Sequence, residues 1–169
     1  VEKVLDLIEK YPVTVGKKDR LIHVNVLRVD LIERMKKLSV VLDLQPIFVA
    51  SDFPWAKERL GATRLPWAYA WKSLLDEGLD CSGGSDSPIE LADPLLGIEA
   101  AVNNLHLPQQ ALTLYEAVSL YTSGSAKAIG RENSRGFILP GYDADFTILD
   151  NVLEKGNILV NGKKVSKSC

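Results

Sequence analysis

Three short apolar stretches, each separated from the next by a segment with helical spacing, constrain this chain more than any other feature. Residues 20–26 (RLIHVNV), 40–45 (VVLDLQ) and 79–84 (LDCSGG) read as strands, and the order along the chain is helix, strand, helix, strand, helix, strand, helix, helix. Strands regularly separated by helices argue for parallel pairing through right-handed crossovers, which makes the fold class α/β. Only three such strands are present. A closed (β/α)8 barrel takes about 250 residues, and this chain has 169.

The opening helix spans residues 2–10 and stops before Tyr11-Pro12, because the residue ahead of a proline is pushed out of the helical region. In the first strand Leu21, His23 and Asn25 share one face, while Ile22, Val24 and Val26 form an apolar face for helices to cover. Asp30 with Glu33 gives a capping-box pattern ahead of a short amphipathic helix over residues 31–38. In the second strand Val40, Leu42 and Leu44 alternate with Val41, Asp43 and Gln45, so the polar pair faces the interior as buried partners. Residues 46–66 show little period and read as a long loop, with Trp55, Arg59 and Arg64 solvated around one anchoring aromatic. Trp67, Trp71, Leu74 and Leu75 have helical spacing, with Gly78 as the left-handed stop.

The third strand runs into Gly83-Gly84 and then Asp86, on one parity with Asp80, Ser82 and Gly84. A carboxylate at the carboxyl end of a parallel strand stands where ligands and chemistry collect in α/β folds. The run Ser85-Asp86-Ser87-Pro88 is also good turn and cap chemistry in its own right. Asp93-Pro94 starts a helix to about Asn104, and Thr113 with Glu116 starts one that ends near Gly130. Beyond it, residues 137–139, 145–149 and 158–165, the last around an Asn161-Gly162 turn, read as short antiparallel strands, with Asp143 and Asp145 capping turns.

Charge and composition exclude several classes. Twenty basic against 22 acidic residues, with the bases scattered, leave no footprint for nucleic acid. No apolar run approaches the roughly 18 residues of a membrane span and no secretion signal is visible, so a cytoplasmic protein with no membrane contact is expected. Cys81 and Cys169 lack metal-ligand spacing and read as reduced thiols, Cys81 as a small core residue. His106 reads as a surface histidine. The chain begins at Val1 with a helix already under way, as an excised piece would.

Taken in order, Arg20-Leu21-Ile22-His23, Gln45-Pro46, Tyr69 to Leu75 (YAWKSLL), Gly84-Ser85-Asp86-Ser87-Pro88, Tyr121 to Ala126 (YTSGSA) and Pro140 to Phe146 (PGYDADF) resemble the amidohydrolase superfamily, and within it the carboxy-terminal part of the amidohydrolase-3, YtcJ-like branch. The collinear spacing carries the resemblance, which covers most of the chain. It implies a metal-dependent hydrolase acting on carbon–nitrogen bonds of a small amide-type substrate. It also implies a partial TIM-like (β/α)8 barrel, strands six to eight, over residues 1–130, and a β segment of a small composite β-sandwich over residues 131–169. By position His23 is a metal ligand, and Asp86 is both a metal ligand and the catalytic carboxylate, able to take a proton from water bound to a divalent metal such as zinc. The remaining histidines of that family's ligand set have no counterpart here, where His23 and His106 are the two histidines. At most two of three zinc ligands are supplied. The chain alone is therefore expected to be inactive and not to retain the metal, and a non-catalytic scaffold or interaction module is the alternative. Two unpaired strand edges predict self-association.

Overall fold

Strand formation follows the apolar stretches closely in the middle of the sheet and stops early at one edge. The computed structural model describes residues 1–149, 155–160 and 163–164. Its first sheet contains β1 (Asp19–Ile22), β2 (Val40–Leu44) and β3 (Cys81–Gly83), all parallel and in that spatial order. Leu21 pairs with Leu42 and Leu42 with Cys81, while Ile22, Asp43 and Ser82 form the neighbouring row. The helices are α1 (Glu2–Lys10), α2 (Val29–Met35), α3 (Phe48–Arg64), α4 (Trp71–Asp76), α5 (Pro94–Val102), α6 (Leu114–Ser119) and α7 (Ser125–Ala128). A π-helical turn, Leu120–Gly124, joins the last two.

Local chemistry explains several helix ends. Asp93 accepts a hydrogen bond from the Leu95 N–H at 3.0 Å, with Pro94 in the first turn of α5. Thr113 and Glu116 form a full capping box at the start of α6. Gly78, at φ 74°, ends α4. The box expected at Asp30 is not formed, because α2 starts at Val29 with Arg28 at the cap position, which puts Asp30 inside the first turn, where its carboxylate pairs with the Arg28 guanidinium at 2.7 Å.

One face of the sheet carries the core. Leu21, Val40, Leu42, Leu44 and Cys81 pack with Leu5 of α1, Leu31 and Met35 of α2, Trp71 and Leu74 of α4 and Leu120 of the π turn. The other face bears Arg20, Ile22, Asp43 and Ser82, and Ile22 is 55% exposed.

Three further sequence expectations are corrected. The first strand ends at Ile22 rather than Val26, and its faces are exchanged: Leu21 lies under the helices and Ile22 on the open side. The cause is left-handed backbone at His23 and Val24, which breaks the two-residue period. Residues 46–66 are not a loop. They hold α3, whose Val49, Phe53 and Ala56 are buried at helical spacing; Pro54 inside it and a non-helical Gly61 (φ 68°) hide that period in the sequence. Residues 137–139 form no strand, since Gly136 (φ 93°) and the ion pairs of Arg135 with Asp143 and Asp145 fold the segment into turns.

The second sheet, β4 (Phe146–Leu149), β5 (Lys155–Val160) and β6 (Lys163–Lys164), is antiparallel with a bulge at Ile148/Leu149. The expected Asn161-Gly162 turn, and Cys169, lie outside the described residues. Among the described residues no helix is long and apolar enough to cross a membrane.

At the amino end of β3, Asp80 takes Lys18 at 2.5 Å and Lys127 at 2.6 Å, clasping the approach to β1 and α7 to the same strand. Burial pushes its carboxyl up, but the two lysines outweigh that and hold it below the usual carboxylate range. A depressed folded value contributes stability that is present above the unfolded value of about 3.9 and is lost as pH falls through the folded one. Thermal midpoints followed below about pH 4 should therefore drop more steeply for the native chain than for Asp80→Asn. Leu42 is fully buried, flanked by a strand on each side and covered by the helices, so Leu42→Ala should lower unfolding free energy in urea by about 2–5 kcal/mol.

Candidate active site

The site is built where the parallel strands stop. His23 is the residue after β1, Gln45 the residue after β2, and Gly84, Ser85 and Asp86 follow β3. The His23 N–H donates to the Asp43 carbonyl at 3.0 Å, which completes the strand ladder, and the chain then reverses. His23 has φ 73° and Val24 φ 44°, while the Val24 N–H reaches back to the Ile22 carbonyl at 3.1 Å. Such backbone costs of order 1–3 kcal/mol per residue, most for a β-branched side chain like Val24. It sends Val24 into the core and His23 out over the strand ends. Asp86 is left-handed too, at φ 55°, and its carbonyl accepts the Ile89 N–H at 3.0 Å.

The result is that His23 Nε2 and Asp86 Oδ2 stand 3.7 Å apart, with side chains 48% and 40% exposed. Two left-handed turns, at His23–Val24 and at Asp86, bring the two residues together. Two atoms bound to one zinc ion at about 2.0–2.2 Å in tetrahedral geometry lie about 3.3–3.6 Å from each other. The observed gap and the donor types, an imidazole nitrogen and a carboxylate oxygen, therefore fit two ligands of one ion. Among the described residues no group of three or more His, Cys, Asp or Glu is placed to hold a metal. Cys81 is buried in the core cluster, and burial pushes its thiol up to about 12.

Beneath the pair lies a polar row crossing the sheet. The Asp43 carboxylate binds the Arg20 guanidinium and accepts the Ser82 hydroxyl at 3.1 Å, and its carbonyl accepts Gln45 Nε2 at 2.9 Å as well as the His23 N–H. Asp43 and Gln45 are thus buried polar partners, as the alternation of β2 suggests. Tyr121 was not evident from sequence. It lies on the π turn, and burial, with Asp43 adding to it, pushes its phenol well above the ordinary range. A Cβ at Gly83 would stand 2.7 Å from its ring and one at Gly97 1.8 Å from its hydroxyl. No sequence signal ties those two glycines to Tyr121, since the contacts are tertiary.

At the flanks, the Phe48 ring meets His23 edge-on at 6.1 Å. Ser51 donates to Glu90 at 2.7 Å, tying α3 to the segment after Asp86. Arg59 lies 5.1 Å over the exposed Trp55 ring and Arg64 bonds its own helix, so neither arginine is engaged with the pair. His106 is at the surface, as expected, with its ring stacked on Phe53 at 4.5 Å.

The family profile described as Amidohydrolase family matches residues 1–160. YtcJ of Bacillus subtilis (strain 168), which is named as an amidohydrolase, is 48% identical over 184 aligned residues that take in 97% of this chain and 35% of YtcJ. An uncharacterized metal-dependent hydrolase from Pyrococcus horikoshii OT3 superposes with a TM-score of 0.74 and 36% identity, over 85% of this chain and 30% of its own. Guanine deaminase of E. coli gives a TM-score of 0.72 over 98% of this chain and 42% of its own; at 21% identity that likeness is one of fold. The chain spans about a third of the length of the curated relative YtcJ.

Proposed function

This chain belongs to the amidohydrolase family, and we propose from that premise that it contributes strands six to eight of a TIM-like barrel, and two metal ligands, to a hydrolase of non-peptide carbon–nitrogen bonds. The observation that carries the reading is the 3.7 Å approach of His23 Nε2 to Asp86 Oδ2 at the carboxyl ends of parallel strands. In it, residues 1–130 are the barrel portion and residues 131–169 a β segment of a small β-sandwich.

A divalent ion, zinc in this reading, supplies a polarised carbonyl and water of lowered pKa when bound. His23 holds it through Nε2 and Asp86 through its carboxylate. Asp86 also moves protons, since an ionised carboxylate can accept the proton of the attacking water at Oδ and deliver it to the departing nitrogen, which leaves as a neutral amine. Its half-exposed position suits this, because the carboxylate must reach both water and substrate. The substrate class is a small amide, cyclic or acyclic.

The described residues supply two donors, whereas a catalytic zinc takes three protein ligands and an open position. The chain alone is accordingly proposed to be inactive. Grafted in place of the corresponding third of YtcJ, it should support zinc-dependent release of amine from small N-acyl and cyclic amides. Asp86→Asn and His23→Ala in that chimera should each lower kcat by about 10²–10⁴. Equal turnover by the variants sinks the residue assignment, and zinc-dependent turnover by the free chain overturns its proposed inactivity.

Self-association belongs to the same reading. Strands β1 and β3 are the edges of the first sheet, and Ile22 lies exposed beside the open row. Unpaired edges next to apolar surface favour pairing between copies. Light scattering across a concentration series should show mass rising with concentration, and a constant monomer mass would count against it.

A further inference from the structure

Gln45 has no role in the pair as described, yet its environment is unusual. It is 2% exposed; its Nε2 donates to the Asp43 carbonyl at 2.9 Å, and its Oε1 is buried with no donor among the described residues. Leaving an acceptor so buried and unpaired is destabilising, and an apolar side chain of the same shape avoids that cost. A glutamine here makes sense when the oxygen has a partner in the working state.

The neighbours of Gln45 point to that partner. The carbonyl that anchors its Nε2 also accepts the His23 N–H at 3.0 Å. Phe48, whose N–H donates to the Gln45 carbonyl at 3.2 Å, is the residue whose ring stands edge-on to His23 at 6.1 Å. Gln45 is thus bracketed by two residues that touch His23. The imidazole has a complementary need. Its Nε2 faces Asp86, and its Nδ1 has no hydrogen-bond partner among the described residues. A nitrogen that ligates through its lone pair must be unprotonated, so the neutral ring carries its proton on the other nitrogen, where an acceptor fixes tautomer and orientation.

We propose that Gln45 is a positioning residue for His23: its Oε1 accepts the Nδ1–H of the imidazole while its Nε2 stays anchored on the Asp43 carbonyl. The ring is then held in the tautomer that leaves Nε2 free to bind a cation. This rests on the reading of His23 as a ligand through Nε2. It also gives the Gln45-Pro46 pair, prominent in the sequence, a physical purpose. Asn25 Oδ1 is a second buried acceptor without a partner, two residues past His23. The Asn25 backbone, however, is engaged by the Tyr69 N–H at 2.7 Å, where the chain turns to pair Val26 with Ala68.

The test reads the tautomer directly, by long-range proton–nitrogen correlation of the imidazoles in the ¹⁵N-labelled full chain at alkaline pH. The native chain should show His23 mainly as the Nδ1–H form. In Gln45→Met the ratio of Nδ1–H to Nε2–H should fall about fivefold, the effect of removing one hydrogen bond. Gln45→Glu, which keeps an acceptor, should retain the Nδ1–H form, and Asn25→Ala should leave the ratio unchanged. Dispersion of the backbone amide spectrum shows that each variant folds, and if Gln45→Met does not, the native and Gln45→Glu spectra still decide. A native ring in the Nε2–H form, a ratio unmoved in folded Gln45→Met, or one that responds to Asn25→Ala instead overturns the proposal. Zinc chloride titrated into the same samples tests the ligand reading separately. A tautomer governed by Gln45 with His23 signals unmoved by zinc removes the ligand reading alone; zinc-shifted signals with a tautomer indifferent to Gln45 remove the positioning role alone.

Discussion

The Asp43 carbonyl accepts the last ladder bond of β1, from the His23 N–H, and a second bond from the Gln45 side chain, while the carboxylate of the same residue holds Arg20 and the Ser82 hydroxyl. One residue of the middle strand therefore fixes both its neighbours in register and the exit of the chain from β1. A carboxylate only 7% exposed is tolerable because it is paired; removing one partner would leave a charge that burial penalises far more than it penalises the intact cluster. Everything above this row inherits its position. The His23 ring stands where it does because its backbone is tied to Asp43, and Gly84 passes close by, its Cβ position 3.4 Å from the Asp43 carboxylate.

That anchoring also explains how left-handed backbone survives at three non-glycine residues around one site. At His23 and Val24 the strain is opposed by a ladder bond on one side and by burial of the Val24 side chain on the other. If Val24 stayed extended, its side chain would leave the core and His23 would turn back beneath the helices with Leu21. The core thus selects the conformation that presents the imidazole. At Asp86 the bond from Ile89 closes the turn, and the glycines before it let the strand end lie flat over Asp43 and Tyr121.

How much of this was legible in the sequence depends on whether a local period or a tertiary contact decided the outcome. The three strands, α1, the Asp93 and Thr113 caps and the Gly78 stop follow from patterns a few residues long, and the structure has them. The alternation of β2 placed Asp43 and Gln45 correctly because that strand is regular throughout. The same reasoning failed in β1, where the period assumes extended backbone and His23 is not extended. It failed again at α3, whose buried row was hidden by a proline within it and a kink at its end. Asp30 misled for a different reason, since the helix begins at Val29 and Asp30 falls inside its first turn instead of at the cap. Tyr121 was invisible because its importance lies in Gly83 and Gly97, both far from it along the chain, which leave room for its ring.

Stability and chemistry occupy opposite faces of the same three strands. The face with Leu21, Leu42 and Cys81 is closed by helices within this chain, and its burial is what makes the unit fold. The face with Arg20, Ile22 and Asp43 buries Val41 and the polar row, while Ile22 at its edge lies open to solvent. Substitutions on the covered face should be felt throughout the molecule, whereas those at the strand ends, where His23 and Asp86 are half exposed, can change ligand chemistry at small cost to folding. Asp43 belongs to both regimes, since its backbone holds the sheet together and its side chain carries the charge under the site. A change there cannot be assigned to folding or to function by activity alone, which is why the imidazole tautomer, a property of His23 and not of the sheet, is the observable that separates them.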